Sequence, residues 1–218
     1  TLTSGVAERF VRGGLPRERI EIKPNFLMNI PEICENKKNY AVYVGRLSVE
    51  KGVRTLIKAW EGVEGLPLKV LGDGDLKGEL QRKCKKNKSN VEFLGFCSKE
   101  KVMELVGEAK FVIIPSECYE GFPMAVLEAF ACGTPVVVSR IGSLDETVLE
   151  GVTGVKFEPG NSSDLINVIN GLKMDSSLLK SMGCKARDVF EKKYTAENNY
   201  EMLTRIYRKA IRDHSSSK

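Results

Sequence analysis

The chain has 218 residues, 34 Lys and Arg against 29 Asp and Glu, and a single histidine, His214, close to its carboxyl end. One imidazole in what we interpret as a solvated terminus excludes Ser-His-Asp and Cys-His catalysis, histidine zinc sites and a histidine general base. The net charge of +5 is spread along the chain, which disfavours nucleic-acid binding and leaves a small anionic ligand as the better match.

The apolar runs and the cysteines place further bounds on the protein. The run at 111–115 is far shorter than the roughly 20 residues of a membrane span, and the amino terminus shows no signal pattern. The six cysteines form no Cys-x-x-Cys pair and no dense disulfide framework. We therefore expect reduced thiols, a cytoplasmic location, no membrane span and no metal site.

Short β-branched runs alternate with amphipathic stretches, which predicts a parallel sheet with helices on both faces. In chain order we predict a helix at 4–13, strands at 19–22 and 41–44, a helix at 53–60, a strand at 68–71, a helix at 75–86, a strand at 91–94, a helix at 99–108, a strand at 111–114, a helix at 122–131, strands at 136–139 and 154–157, and helices from 163, at 177–192 and at 196–212. This order predicts an α/β fold with one doubly wound, Rossmann-like sheet.

Ligands of such sheets lie beyond the carboxyl ends of the strands. Four of the loops expected there carry unusual residues, namely Gly45-Arg46, Gly72-Asp73-Gly74, Gly95-Phe96 and the segment 115–121. Arg46 and Lys51 would converge near helix amides that also favour anions, an arrangement that suits a diphosphate. The alternative is that both are solvated surface charges.

The glycines at 72, 74 and 78 are spaced one residue too widely for a dinucleotide fingerprint and follow the second core strand rather than the first. They permit a tight turn, with Asp73 or Asp75 capping the next helix. They would also let a base or ribose lie close to the backbone.

The segment from Glu120 to Gly133 predicts a short apolar helix, with Pro123 in its first turn and Gly133 just past its end. Glu128 would lie in that helix, where a buried carboxylate is costly unless it is paired. It would sit roughly 9 Å along the axis from the helix start, so Glu120 and Glu128 are too far apart for a glycosidase pair. They could hold two ends of an elongated ligand; alternatively, Glu128 is a core glutamate bonded to an amide and Glu120 stabilises the helix dipole.

Five motifs in one order carry a family resemblance: Tyr43–Leu47, Glu50–Gly52, Leu71–Gly74, Val91–Gly95, and Glu120 with seven residues before Glu128. Together they resemble the donor-binding half of a retaining family 4 glycosyltransferase of GT-B fold. The likeness covers nearly the whole chain.

The resemblance implies that Arg46 and Lys51 hold a nucleotide diphosphate and stabilise the leaving group without a metal or cofactor. It implies that Glu120 contacts the donor-sugar hydroxyls and Glu128 the ribose hydroxyls. The donor would be a UDP-, GDP- or ADP-sugar. The further positions expected around it are Gly45, Gly72, Gly74, Gly95, Phe96, Gly121, Phe122 and Pro123, of which Pro123 replaces a glycine common in the family.

The resemblance also implies a second half that supplies the acceptor site. We expect residues 1–24 to be the end of that half, 25–193 the nucleotide-sugar-binding domain and 194–218 a carboxy-terminal helix and tail. Such a chain would bind a donor without transferring its sugar alone, and the basic surface could bring the full enzyme to anionic lipid. The alternatives are a non-catalytic nucleotide-sugar-binding domain and a GT-B nucleotide-sugar epimerase; a simple NAD-binding domain fits least.

Overall fold

A computed structural model describes residues 1–216, apart from the side chains of His214 and Ser216. The strands are β1 Ala41–Val44, β2 Leu68–Leu71, β3 Val91–Gly95, β4 Phe111–Ile114, β5 Val136–Ser139 and β6 Gly154–Phe157. The helices are α1 Ser4–Arg12, α2 Val53–Trp60, α3 Lys77–Asn87, α4 Lys99–Glu108, α5 Met124–Ala131, α6 Gly142–Thr147, α7 Ser162–Leu172, α8 Ser176–Lys193 and α9 Ala196–Ser216.

The six strands form one parallel sheet in the order β3-β2-β1-β4-β5-β6. Successive strand residues face opposite sides of a sheet, so Tyr43 packs in one apolar layer and Val42 in the other. The first layer includes Trp60 of α2, and the second includes Phe130 of α5 and Phe190 of α8. Helices cover both faces, which confirms the predicted doubly wound α/β architecture.

Strand order reverses between β1 and β4, since the chain adds β2 and β3 on one side of β1 before it returns to the other side. The loops that leave β1 and β4 therefore lead to helices on opposite faces of the sheet, and in doubly wound sheets the ligand crevice lies at such a reversal. Arg46 and Lys51 follow β1, and Glu120 follows β4. The topology thus sets these three residues beside one crevice.

The six core strands agree with the sequence prediction, but the strand predicted at 19–22 is wrong. Arg17–Arg19 form a short 3-10 turn in which Ile20 N donates to Arg17 O. Lys23 N donates to Thr1 O instead of to a strand of the sheet. Alternating Ile20 and Ile22 resembles strand patterning, yet this stretch lies outside the sheet.

Two further differences concern helices. The helix α6 has six residues, too few for an apolar period to be visible in sequence. The last helix extends to Ser216 and includes the backbone of His214, so that part of the predicted tail is helical. The predicted solvation of the His214 side chain lies outside the described residues. Within residues 1–216, no helix combines the length and apolar character that crossing a membrane requires.

Candidate donor-binding site

Backbone contacts join the three loops at the carboxyl ends of β1, β2 and β3. Gly45 N donates to Leu71 O at 3.0 Å, and Gly72 N donates to Gly95 O at 2.7 Å. Gly72 has φ +138°, and a Cβ there would lie 1.9 Å from Gly45 O. The loops can approach this closely only because residue 72 has no side chain.

The loop after β1 also rests against the loop after β4. Gly52 has φ +66°, and a Cβ on it would lie 1.8 Å from Pro115 O. Beside it, Glu117 N donates to Glu50 O at 2.9 Å. These contacts set Lys51 against the loop that leads to Glu120.

Lys51 and Glu120 form an ion pair across the crevice. Lys51 Nζ lies 2.8 Å from Glu120 Oε1, and the two side chains are 31% and 13% exposed. The buried Ser116 hydroxyl donates to the same carboxylate, while Ser143 Oγ donates to the Glu120 main-chain oxygen at 2.8 Å. A cation and a carboxylate are thus held side by side at the β1/β4 reversal.

Arg46 lies on the same loop as Lys51 and its side chain is exposed to solvent. Its main-chain oxygen accepts a hydrogen bond from the Tyr43 hydroxyl at 2.7 Å. Burial raises the pKa of Tyr43, and the carboxylates of Glu120 and Glu50 raise it further. Tyr43 therefore stays protonated and fixes the backbone from which Arg46 projects.

Glu128 lies in α5, four residues from the helix start, and is half-buried. Its burial raises the pKa of the carboxyl, and the charge of Lys99 partly opposes that rise. The apolar character predicted for this helix is confirmed, since Val126, Leu127 and Phe130 are buried. Glu128 is thus an ionisable group in a largely apolar helix.

Pro123 differs from its prediction. It precedes the helix with an extended ψ of 97° instead of lying in the first turn. Its carbonyl accepts a hydrogen bond from Val126 N, so it acts as the amino-terminal cap. Phe122 is half-buried and packs edge-to-face on Tyr194, with ring centroids 5.9 Å apart, whereas Gly121 is exposed.

The β2 and β3 loops supply the other expected positions. Capping of α3 by Asp73 or Asp75 is not observed, because Leu76 occupies the cap position. Asp73 instead accepts from Gly74 N at 2.8 Å and from Lys77 Nζ at 2.6 Å. Gly95 ends β3 with φ +71°, and the next residue, Phe96, is 88% exposed.

The residues that sequence reasoning did not assign to the site are Tyr43, Ser116 and Ser143. Each supports a predicted residue: Tyr43 orients the Arg46 backbone, and the two serines bind Glu120. Ser116 lies within the flagged loop 115–121, and Tyr43 lies within the β1 motif. No local sequence pattern could have predicted the contact of Ser143 with Glu120, since 23 residues separate the two.

Comparison with known proteins assigns the chain to a family. The family model described as glycosyl transferases group 1 matches residues 30–189. The chain belongs to the glycosyl transferases group 1 family. An uncharacterized glycosyltransferase of Methanocaldococcus jannaschii is 32% identical over 174 residues, which are 79% of this chain and 49% of the relative.

A lipopolysaccharide 1,2-N-acetylglucosaminetransferase of Salmonella typhimurium is 30% identical over 216 residues, with 87% of this chain and 56% of the relative covered. Anabaena HepE, solved in complex with UDP, superposes with a TM-score of 0.84 at 22% identity over 93% of this chain and 61% of its own. The fold is that of a GT-B glycosyltransferase. The chain spans about half the length of these relatives.

Proposed function

We propose that this chain is the donor-binding domain of a retaining family 4 glycosyltransferase and that it holds a nucleoside-diphosphate sugar across the β1/β4 crevice. The observation that carries the proposal is the Lys51–Glu120 pair. It joins a cation suited to a diphosphate with a carboxylate suited to sugar hydroxyls. The solved complexes of Anabaena HepE with UDP and with UDP-glucose support a nucleotide sugar as the ligand.

In this proposal Lys51 and Arg46 bind the diphosphate. When the bond between the anomeric carbon and the diphosphate oxygen breaks, negative charge grows on that oxygen. Cations already held at the site stabilise this charge with little reorganisation. The two cations would thereby take the role of a metal. The anomeric carbon would form its new bond to an acceptor hydroxyl oxygen on the face that the diphosphate leaves, and the proton of that hydroxyl would pass to the departing diphosphate oxygen.

Two carboxylates define the ends of the proposed donor. Glu120 accepts hydrogen bonds from sugar hydroxyls, a role that Ser116 and Ser143 support by fixing its side chain and backbone. Glu128 accepts from the ribose hydroxyls. Gly72 and Gly74 pack against the loop after β1, whereas a Cβ on Gly95 would meet only Lys77 Nζ, at 3.6 Å. The nucleoside would therefore approach the loop after β3, where exposed Phe96 offers a face on which the base can stack.

We further propose the domain division given by the sequence, with residues 1–24 belonging to a preceding half, 25–193 binding the donor and 194–218 forming the closing helix and tail. Acceptor recognition belongs to the preceding half, so the chain alone binds donor but does not transfer sugar. A transfer assay of the purified chain with UDP-glucose tests this point. Robust turnover would contradict it.

Calorimetric titration with UDP, GDP and ADP tests the site itself. Glu128→Ala should weaken binding of the preferred nucleotide by about 1.5 to 3 kcal/mol, the contribution of a hydrogen bond to a charged group. Glu104→Ala is the matched control, because Glu104 is an exposed carboxylate on α4 paired with Lys101. Equal affinities of the parent and Glu128→Ala for all three nucleotides would place the ribose elsewhere.

A further inference from the structure

The helix at the start of the chain contacts the loop that carries Glu120. The guanidinium carbon of Arg9, in α1, lies 3.9 Å from the ring centroid of Tyr119. The same ring lies against α6, where its Cδ1 is 2.7 Å from the point that a Cβ on Gly142 would occupy. Tyr119 is therefore in contact with both α1 and α6 and immediately precedes Glu120.

Helix α6 also forms hydrogen bonds to the two segments that meet in this contact, α1 and the loop that carries Glu120. Its Glu146 carboxylate accepts from Ser4 N at 2.7 Å, from Gly5 N at 2.9 Å and from the Ser4 hydroxyl. Burial raises the pKa of Glu146, but these hydrogen bonds outweigh it and leave the pKa below its usual range. At its other end, α6 uses Ser143 to hold the Glu120 carbonyl.

Apolar packing contributes little to the docking of α1. Ala7 is buried, but Phe10 and Val11 are 47% and 37% exposed. A cavity of about 540 Å³, bordered by Thr3 and Tyr194 among others, lies beside the start of the helix. The polar contacts of α1 and the Arg9–Tyr119 stack therefore carry much of its attachment.

We propose that Arg9 is a positioning residue of the donor site. By stacking on Tyr119 it holds the loop 116–121 in the conformation that presents the Glu120 carboxylate to the donor sugar. This inference rests on the proposed function. Arg9 acts on the loop that carries Glu120, and this loop contacts the loop after β1 through Glu50 and Lys51, so its effect should be larger on the donor sugar than on the nucleotide.

Amide hydrogen exchange of the ligand-free chain tests the positioning step without any nucleotide. Arg9→Ala should speed exchange in the peptide that spans 116–121, and Arg9→Lys, which keeps the cation, should restore part of the protection. Arg12→Ala is the matched control, since Arg12 lies on the same helix and pairs with Glu8 at 3.7 Å. Unchanged exchange in Arg9→Ala, or an equal change in Arg12→Ala, would overturn the inference.

Titration then tests the consequence for the donor. Arg9→Ala should weaken UDP-glucose binding about two- to fivefold, the effect of losing an exposed cation–π contact, and weaken UDP binding by less. In a Tyr119→Ala background, Arg9→Ala should cause no further loss, because the ring that Arg9 contacts is gone. An equal loss for UDP and UDP-glucose, or additive losses in the double variant, would overturn the positioning role. Absence of binding of UDP, GDP and ADP by the parent would instead refute the proposed function, and the exchange experiment would still decide the role of Arg9.

Discussion

Replacing Gly72 by alanine should destabilise the chain, because two loops of the site meet at that backbone. The new Cβ would lie 1.9 Å from Gly45 O. To reach ordinary contact the loops must separate by about 1.5 Å, and overpacking of this kind costs roughly 1 to 3 kcal/mol. The φ of +138° adds about 1 to 3 kcal/mol of backbone strain for a residue with a side chain.

Urea unfolding followed by circular dichroism measures this effect. A loss of roughly 3 kcal/mol should lower the midpoint by about 1 M or more. Gly78→Ala is the internal control, because Gly78 is exposed on α3 and a Cβ there meets only Arg82 Nη1, at 3.5 Å. Because Gly78 is the second residue of α3 and lies outside the helix interior, this variant should stay within about 0.5 kcal/mol of the parent. If Gly72→Ala unfolds at the parent midpoint, the close approach of the β1 and β2 loops is refuted.

The remaining predictions concern the supporting groups of the site. Tyr43→Phe removes the hydrogen bond to Arg46 O. It should lower the free energy of unfolding by about 0.5 to 1.5 kcal/mol, measured in urea, and weaken UDP binding, measured by calorimetry. If neither quantity changes, the bond contributes neither to stability nor to the donor site. Glu128→Gln should stabilise the chain at pH 7 while weakening nucleotide binding, because burial raises the pKa of the folded carboxyl. Above the ordinary pKa of about 4.3 the unfolded carboxyl loses its proton while the folded carboxyl keeps it, so the stability of the parent falls as pH rises until the folded carboxyl ionises as well. Thermal melts of the two proteins should converge below about pH 4, and a constant difference across pH would contradict the burial argument.

The core strands were predictable from sequence because buried parallel strands are continuous apolar runs. Val136–Ser139 and Phe111–Ile114, for example, are buried throughout. The strand prediction at 19–22 was wrong, because alternating isoleucines do not reveal whether a neighbouring strand is available to pair with them. Helix α6 was not predicted, because six residues span less than two helical turns and show no apolar period.

The site was predictable in part. Topology brings together the loops after β1 and β4, so Arg46, Lys51 and Glu120 could be placed on one rim. The contact between Lys51 and Glu120 joins residues 69 positions apart, and no local pattern encodes its geometry. Pro123 illustrates the same limit, since proline suits both the cap and the first turn, and only the backbone angles decide between them.

The preference for a diphosphate over a monophosphate reports whether Lys51 binds the second phosphate. The parent and Lys51→Ala would each be titrated with UDP and with UMP, and Lys58→Ala, an exposed lysine on α2, would serve as the control. The parent and Lys58→Ala should bind UDP more tightly than UMP. In Lys51→Ala the preference should shrink by about 1.5 to 3 kcal/mol, or roughly ten- to 150-fold. An undiminished preference in Lys51→Ala would contradict a diphosphate site at the β1/β4 crevice.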